Sequence, residues 1–429
     1  GGGWAGLAAA VELARRGVPV TLLEASRQLG GRARAVRFGE HRVDNGQHLL
    51  LGAYSAVLEM LKVLAVSEAS VLRRSPLHLQ FLEGAKCISL RTPRLPAPLH
   101  LAWGLLRAQG LSLAQGMTAL RMAYGMRRRH FHLDTDMSVQ DYLRDAHQDP
   151  LLVRALWRPL CLAALNTPPQ QASMNIFLRV LRDAFFSTRR SSDVLVPITD
   201  LGTCVPEPAR DYIERNGGSV RLGSRAIGIQ LRAGRLRGVQ LEHTTLLADQ
   251  VILATPPEAT LSLLQPHAAL QAEAQQLSNL HSLPICTLYL QYPPGTRLKH
   301  DYVGLLGGTA QWVFDRGRLT GEDGLMAVVI SGPGAHMRED GASLTQRIVQ
   351  ELALQFPAWP APLANKLIRE RRAGFAATVD VERHRPQHAT AVQGLWLAGD
   401  YTATGYPATL EGAVRSGVEC ARRIQQGGN

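Results

Sequence analysis

The sequence has few cysteines and no long apolar run, and each shortage excludes a class of protein. Its five cysteines are far apart and form no C-x-x-C pair, so neither a disulfide framework nor a metal site is predicted. No apolar run reaches the ~18 residues that a membrane-spanning helix needs. Glycine and proline are spread along the chain rather than massed, which argues against a disordered or collagen-like protein. The cysteine pattern favours a reducing compartment, such as the cytoplasm.

Acidic residues are also in the minority. The 429 residues include 47 Lys and Arg against 35 Asp and Glu, which gives a net charge of +12. Most of the basic residues are arginines scattered along the chain, and no nucleic-acid-reading module is present, so nucleic acid is not expected as a partner. The charge favours a membrane surface or a phosphorylated ligand. The length predicts two or three globular domains.

The first residues carry the most informative motif. Gly1, Gly3 and Gly6 fit G-x-G-x-x-G, and an amphipathic helix over residues 7–16 follows. A β-rich run then ends at Glu24. Glycines allow backbone amides to approach a pyrophosphate, and a carboxylate at the next strand end binds ribose hydroxyls. The pattern predicts a dinucleotide site; the alternative is a glycine-rich turn with a surface glutamate.

Such a fingerprint ordinarily follows a buried strand, and no strand precedes Gly1 in this sequence. We expect that the natural chain continues upstream of Gly1. The alternative is a sheet that lacks its first, central strand.

Further glycine-rich turns and strands fit the same kind of site. Leu29–Arg34 and Val43–His48 place glycines where backbone could approach a ligand, although both are also typical of solvated turns. The run from Asp249 to Thr255 predicts a buried strand. Near the end of the chain a strand leads into Gly399-Asp400, and a helix over about 411–421 directs its positive end towards the same ligand.

Two apolar segments remain between these motifs. Leu95 to Arg129 combines apolar residues with a terminal cluster of arginines, which is typical of a membrane-surface anchor. The alternative is a set of helices packed within a substrate domain. The block from Leu151 to Asp183 is rich in large apolar residues, which can line an apolar cavity or form ordinary core.

The order of these segments predicts five parts. Three of them, residues 1–53, 206–265 and 386–429, are expected to build one α/β, Rossmann-like dinucleotide-binding domain whose first strand is missing. The mostly helical residues 54–205 and the antiparallel sheet and helix of residues 266–385 are expected to form an inserted substrate domain.

Taken together, these motifs resemble the flavin amine oxidase and phytoene desaturase superfamily over nearly the whole chain. Residues 44–54, 157–167, 311–316 and 406–413 are most similar to its squalene-associated branch, the hydroxysqualene dehydroxylases of bacterial hopanoid synthesis.

The resemblance implies that the cofactor is FAD and that it spans the dinucleotide domain. It places the pyrophosphate at Gly1, Gly3, Gly6 and Arg32 beside Gly31, the adenosine ribose at Glu24, adenine near Ala226, ribitol at Gly399 and Asp400, and the isoalloxazine among Gly46, Gln47, His48, Thr409, Leu410 and Ala413.

The reaction implied is the reductive removal of an allylic hydroxyl from hydroxysqualene, with flavin N5 as the hydride donor. A proton must reach the leaving oxygen, and water must be kept from the resulting cation. His48 and Asp183 are the candidate proton donors; both are also compatible with structural hydrogen bonds. The electron donor is not identified by the sequence.

An apolar isoprenoid substrate implies peripheral attachment to the inner face of the cell membrane. Alternative readings are a carotenoid-type desaturase or isomerase, an amine oxidase and, from another class, a prenyl-lipid carrier of the GDP-dissociation-inhibitor type.

Overall fold

The structure is a computed structural model, and it describes residues 1–427 of the chain. The described part contains α-helices distributed over its whole length. They are α1 Trp4–Arg15, α2 Ser55–Val63, α3 Glu68–Val71, α4 Leu99–Leu106, α5 Leu113–Arg128, α6 Val139–Asp145, α7 Pro150–Leu152, α8 Arg158–Leu165, α9 Met174–Leu181, α10 Leu201–Cys204, α11 Pro206–Arg215, α12 Pro257–Leu264, α13 Gln271–Ser278, α14 Arg316–Leu319, α15 Gly341–Gln355 and α16 Leu410–Gln425. π-Helical turns at Val153–Trp157 and Arg182–Phe186 continue α7 and α9.

The strands are shorter on average and form several sheets. They are β1 Thr21–Leu23, β2 Ala35–Phe38, β3 His41–Asp44, β4 Leu50–Leu51, β5 Leu72–Ser75, β6 His78–Glu83, β7 Lys86–Arg91, β8 Val194–Pro197, β9 Ser219–Arg221, β10 Gly228–Arg232, β11 Arg235–Gln240, β12 Thr245–Leu247, β13 Val251–Leu253, β14 Ser282–Gln291, β15 Tyr302–Leu305, β16 Trp312–Asp315, β17 Leu325–Ser331, β18 Ala364–Phe375 and β19 Leu395–Leu397.

Two parallel strand pairs form the dinucleotide-type part of the fold. β1 pairs with β9, and β13 pairs with β19, so strands from the beginning and from the end of the chain each pair with a strand from its middle. Helix α1 begins at Trp4, so Gly6 lies inside the helix rather than before it. α1 packs along α16 at Gly417, where an added Cβ would overlap the carbonyl oxygen of Ala5. Only glycine permits this close approach of the two helices.

A gap separates the two parallel pairs. Within residues 1–427 they form two-stranded sheets that share no strand. Ala9 and Leu13 of α1 pack against both Val20 and Ile252, so this helix covers the gap from one side. The facing edges of β1 and β13 both line a common cavity. This arrangement agrees with the prediction of a Rossmann-like sheet without its first strand.

A seven-stranded mixed sheet forms the second part, in the order β18-β14-β17-β16-β15-β6-β7. All neighbours are antiparallel except β15 and β6. Alternate residues separate its two faces: Val313 and Val328 pack with helix α15, whereas Trp312, Phe314 and Val329 face the cavity. The period of two along each strand therefore gives the sheet one core face and one cavity face.

The predicted, mostly helical segment 54–205 also contains four strands, β5 to β8. β6 and β7 extend the seven-stranded sheet, and β8 pairs with β4 and β5 in a small sheet. The remaining small sheets are β2-β3 and β10-β11-β12.

In the described part of the chain, no helix is long and apolar enough to cross a membrane. The same residues contain no group of three or more His, Cys, Asp or Glu side chains that could hold a metal ion.

Candidate cofactor and substrate site

A large cavity of about 1480 Å³ joins the dinucleotide-type part to the seven-stranded sheet. Every residue that the sequence predicts for the site lines this cavity, and these residues come from both ends of the chain. These are Gly1, Gly3, Gly6, Glu24, Gly31, Arg32, Gly46, Gln47, His48, Asp183, Ala226, Gly399, Asp400, Thr409, Leu410 and Ala413. Ligand pockets typically measure ~300–1,000 Å³. The cavity therefore has room for more than one ligand, although part of it lies in the gap between β1 and β13.

The glycine loop leaves open space at Gly3, where a phosphate group would approach the backbone. A Cβ added at Gly3 would meet no atom nearer than Cα of Gly31, 4.0 Å away, whereas one at Gly6 would overlap the carbonyl oxygen of Gly1. Gly3 is the N-cap of α1 and offers no side chain of its own. The unpaired amides of this helix end thus face an open cradle, which suits a pyrophosphate.

Glu24 lies at the carboxyl end of β1, beside the glycine loop. Its carboxylate accepts hydrogen bonds from the backbone N–H of Gly2, at 2.6 Å, and of Ser26, at 2.8 Å. These bonds fix the side chain at the cavity wall, and the remaining lone pairs are free to accept from ribose hydroxyls.

Arg32 and Asp400 connect the two ends of the chain. Arg32 Nη2 lies 2.7 Å from Asp400 Oδ2, and Arg32 Nη1 donates to the carbonyl oxygen of Ala373 at 2.7 Å. Asp400 is buried. The two residues predicted to bind different parts of FAD therefore form an ion pair with each other, which brings the loop after β19 onto the glycine-rich turn at residues 29–34.

A buried arginine that the sequence analysis did not single out holds this loop. Arg385 donates to the carbonyl oxygens of Asp400, at 2.9 Å, and Thr402, and to the hydroxyl of Thr404, at 3.0 Å. Its guanidinium also lies 4.7 Å from the ring centroid of Phe375. One cation thus satisfies several inward-facing oxygens and fixes the backbone at Asp400.

The beginning of α16 lines the opposite part of the cavity. Thr409 caps the helix by accepting a hydrogen bond from the N–H of Gly412 at 3.1 Å. Buried Glu411 accepts from the N–H groups of Ala56 and Val57, which ties α16 to the start of α2. The positive end of the α16 dipole therefore lies at the cavity wall.

Gln47 is held from behind by a buried arginine. Its Oε1 accepts a hydrogen bond from Arg316 Nη1 at 3.0 Å, and Arg316 forms a bidentate pair with Glu322. Its Nε2 donates to the carbonyl oxygen of His48 at 3.2 Å. The orientation of the Gln47 amide at the cavity wall is therefore fixed by a charge outside the cavity.

His48 lies at the same wall but is not suited to donate a proton. Burial lowers the pKa of its imidazole, so the ring is neutral near pH 7. Nδ1 lies at hydrogen-bond distance from the carbonyl oxygen of Gly46, which accepts from this nitrogen. The other nitrogen then carries a lone pair and acts as a hydrogen-bond acceptor.

Asp183 forms a pair with Tyr406 at the cavity wall. The phenol of Tyr406 donates a hydrogen bond to Asp183 Oδ2, and Arg182 donates to Oδ1 at 2.8 Å. Burial, together with the hydrogen bond to Asp183, raises the pKa of Tyr406 to about 12, so the phenol keeps its proton. Arg179 and Arg415 lie 5.0 and 4.3 Å from its ring centroid.

Sequence reasoning proposed Asp183 but missed Tyr406, although Tyr406 belongs to the motif at 406–413. Asp183 belongs to the π-helical turn Arg182–Phe186 that continues α9. Such turns frequently occur at functional sites, because the wider coil redirects side chains.

The rest of the cavity wall is apolar. Helices α8 and α9, the π-helical turn after α9 and the cavity face of the seven-stranded sheet provide the side chains. They include Leu77, Leu79, Leu160, Leu162, Phe177, Val180, Leu181, Phe185, Ile285, Trp312, Phe314 and Val329. The segment 151–183, which could have been plain core, therefore supplies much of the lining of an apolar chamber.

These features fit FAD. The open cradle at Gly3 suits its pyrophosphate, the fixed carboxylate of Glu24 suits its ribose, and the end of α16 suits an electron-rich ring. The apolar chamber continues beyond these groups, where a second, apolar ligand can bind.

Comparison with known proteins also indicates a flavin-binding protein. Residues 4–425 match the family described as flavin containing amine oxidoreductase. The chain is similar to hydroxysqualene dehydroxylases from Sinorhizobium fredii, with 29% identity over 98% of this chain and 96% of the relative, and from Rhodopseudomonas palustris, with 29% identity over 100% and 98%. It is also similar to a 15-cis-phytoene desaturase from an Oncidium hybrid cultivar, with 24% identity over 99% and 77%.

Solved structures share the fold at lower identity. An oxidoreductase from Methanosarcina mazei superposes with a TM-score of 0.76 at 17% identity, covering 99% of this chain and 98% of its own. Cyclohexylamine oxidase from Brevibacterium oxydans superposes with a TM-score of 0.70 at 17% identity, covering 100% and 98%.

Proposed function

We propose that this chain, which belongs to the flavin containing amine oxidoreductase family and is an FAD-dependent oxidoreductase, removes the allylic hydroxyl of hydroxysqualene and forms squalene and water. The observation that carries the proposal is the single cavity in which a dinucleotide cradle opens into an apolar chamber. The hydroxysqualene dehydroxylases that match nearly the whole chain support this choice of substrate.

The reaction replaces a carbon–oxygen bond by a carbon–hydrogen bond. Balanced, the alcohol takes up two electrons and two protons and gives the hydrocarbon and one water. Reduced FAD, when bound, supplies the hydride. The protein must therefore hold the alcohol against the cofactor, protonate the leaving oxygen and keep other water away.

We propose that the cofactor is held by the residues that line the dinucleotide part of the cavity. The glycine loop with Arg32, Glu24 and Asp400 bind the phosphate, ribose and ribitol parts, with Ala226 near adenine. Gln47, His48 and the start of α16 surround the ring. We assign this role to the segments 1–53, 206–265 and 386–429, and substrate binding to residues 54–205 and 266–385.

The apolar chamber holds the isoprenoid and excludes water. Loss of hydroxide from an allylic carbon leaves a delocalised cation, which bulk water would convert back into the alcohol. The aliphatic and aromatic side chains of α8, α9 and β16 offer this cation no nucleophile.

The Asp183–Tyr406 pair is the proton source in this proposal. Tyr406 holds the proton of the pair, and Asp183 accepts from the phenol and orients it at the wall of an otherwise apolar chamber. Arg182 and Arg415 lie beside the pair. His48 is neutral and accepts rather than donates, so its role is to orient the hydroxyl or the ring.

A C30 isoprenoid resides in membranes, so the protein must meet a membrane surface to obtain it. We propose that it acts as a peripheral protein on the inner face of the cell membrane and that it receives electrons from a separate donor. The basic net charge of +12 supports contact with anionic lipid headgroups.

Anaerobic product analysis tests the proposal. The FAD-loaded protein is reduced with dithionite and given detergent-dispersed hydroxysqualene, and we expect squalene by gas chromatography only when the flavin is reduced. Oxidised protein under the same conditions is the control. Absence of squalene with reduced, fully loaded protein would contradict the proposal.

The phytoene desaturase relatives support a second candidate, an oxidative desaturation in the same chamber. Incubation of the oxidised protein with phytoene separates the two reactions, because only a desaturase gives a product with additional double bonds. Peroxide release with a soluble amine would instead favour an amine oxidase.

A further inference from the structure

Six large apolar side chains lie exposed on and beside helices α4 and α5. Leu99, Trp103, Leu113, Met117 and Tyr124 are 58%, 49%, 68%, 54% and 65% exposed, and Leu95 precedes them. They make up six of the eleven large exposed hydrophobic residues in the described part of the chain. We call these six residues the α4–α5 surface. Such concentrations of exposed apolar side chains mark interaction sites.

Helix α5 is apolar on two opposite faces. Ala119, Met122 and Met126 are buried against the protein. Leu113, Met117 and Tyr124 recur at i, i+4 and i+11, which places them together on the far side of the helix. A helix at a protein surface normally presents polar residues there. The second apolar face therefore has no partner among residues 1–427.

The sequence around this surface contains positive charge only. Residues 84–133 include eight basic residues and no acidic one. Within the described residues, Arg107, Arg121 and the cluster Arg127 to Arg129 form no ion pair, and Arg107 lies 5.1 Å from the ring centroid of Trp103. Unpaired arginines beside exposed Trp and Tyr are the composition of a membrane-interface segment.

The loop between α4 and α5 packs on the apolar interior. A small void is lined entirely by apolar side chains, among them Leu111 of this loop and Leu79 of β6. Leu79 also lines the large cavity. Only an apolar wall thus lies between this loop and the chamber, which suits a lipid source rather than a protein partner.

We propose that the α4–α5 surface docks on an anionic lipid bilayer, with its apolar side chains in the acyl region and the arginines at the headgroups. This inference rests on the proposed function, because a membrane-dissolved isoprenoid has to be collected from a bilayer. The docking itself is tested without turnover.

Flotation of the FAD-loaded protein with vesicles provides the test. Vesicles of phosphatidylcholine with and without roughly one third phosphatidylglycerol are compared for the wild type, for R127Q/R128Q/R129Q and for W103S/L113S/M117S. Matched controls are R232Q/R235Q/R237Q, on the exposed hairpin β10–β11, and L354S/L363S, which removes two exposed leucines elsewhere. FAD content per chain verifies that each variant is folded.

We expect the wild type to bind the anionic vesicles in a salt-sensitive manner. Loss of the three arginines should weaken binding about a hundredfold, since each basic residue near the surface contributes about fivefold. The serine variant should weaken it at least as much, and both controls should bind like the wild type. The proposal would be overturned if all variants bound equally or if the wild type did not bind. It would also be overturned if the substitutions dissociated a dimer and left vesicle binding unchanged.

The same samples distinguish this inference from the proposed function. Squalene formation in detergent without vesicle binding refutes only the docking surface. Vesicle binding through these residues without squalene formation refutes only the reaction.

Discussion

The buried carboxyl of Asp44 predicts how the free energy of unfolding depends on pH. Oδ1 accepts a hydrogen bond from the N–H of Leu201 at 2.7 Å, whereas Oδ2 is buried and has no hydrogen-bond partner among residues 1–427. Burial raises the pKa of this carboxyl from 3.8 to about 7. An acid with a raised pKa binds more protons in the folded state, so the free energy of unfolding falls as the pH rises from 3.8 to about 7.

The substitution Asp44→Asn removes this dependence. Because Asp44 ionises more readily in the unfolded than in the folded chain, it lowers the free energy of unfolding by about 2.3 kcal/mol at about pH 5.5 and by about 4.3 kcal/mol at about pH 8.5. The asparagine still accepts from Leu201, and any cost of its buried amide is the same at both pH values. The difference in unfolding free energy between variant and wild type should therefore shift by about 2 kcal/mol in favour of the variant between these pH values.

Urea unfolding of the FAD-loaded protein, followed by tryptophan fluorescence at both pH values, measures this shift. Asp211→Asn is the matched control, because Asp211 is exposed on α11 and should show no such shift. Parallel stability curves for the wild type and Asp44→Asn would refute the reasoning, as would a shift of the opposite sign.

The site and its packing give three further predictions. Glu24→Ala removes the acceptor for the N–H groups of Gly2 and Ser26, and we expect FAD to bind about tenfold or more weakly in a flavin fluorescence titration, with a smaller loss for Glu24→Gln. An unchanged affinity would contradict a role at the cofactor. Tyr406→Phe removes the proton of the pair and should lower kcat ~100-fold, whereas Asp183→Asn keeps an oxygen that can accept from the phenol and should have a smaller effect; an unchanged kcat for Tyr406→Phe would remove the pair as proton source. Gly417→Val should lower the free energy of unfolding by ~1–3 kcal/mol because of overlap with Ala5, whereas Gly125→Ala, which meets open space, should not; equal stability of the two variants in urea would contradict the close packing of α1 and α16.

The parts of the site that depend on local sequence were predictable. The glycine loop, Glu24 at a strand end and Gly399-Asp400 after a buried strand each need only a few neighbouring residues to be recognised. Backbone geometry then decides their position, because parallel strands bring their carboxyl ends to one edge of a sheet. This is why residues from both ends of the chain line one cavity.

Contacts between distant side chains were not predictable in the same way. Tyr406 meets Asp183 across 223 positions, and Arg316 meets Gln47 across 269. No local pattern encodes such pairs, since they depend on how the seven-stranded sheet and the helices pack. The pairing of β6 with β15, which places Leu79 at the cavity, is a further example.

The segment over residues 95–129 shows what the spacing of apolar residues cannot decide. Its apolar residues were equally compatible with internal packing and with an exposed anchor, because the spacing of residues 113–126 places apolar side chains on both sides of a helix. The structure separates them by burial: Met122 and Met126 face the protein, and Met117 and Tyr124 face outwards. The flotation experiment tests whether the outward face contacts lipid.

A single-turnover titration tests whether reduced FAD in this protein reduces hydroxysqualene to squalene. Protein with one reduced FAD per chain is mixed anaerobically with hydroxysqualene, and the visible absorbance of oxidised flavin and the amount of squalene are followed together. We expect oxidised flavin and squalene to appear at the same rate and in equal amounts. Flavin that stays reduced in the presence of bound hydroxysqualene would contradict it.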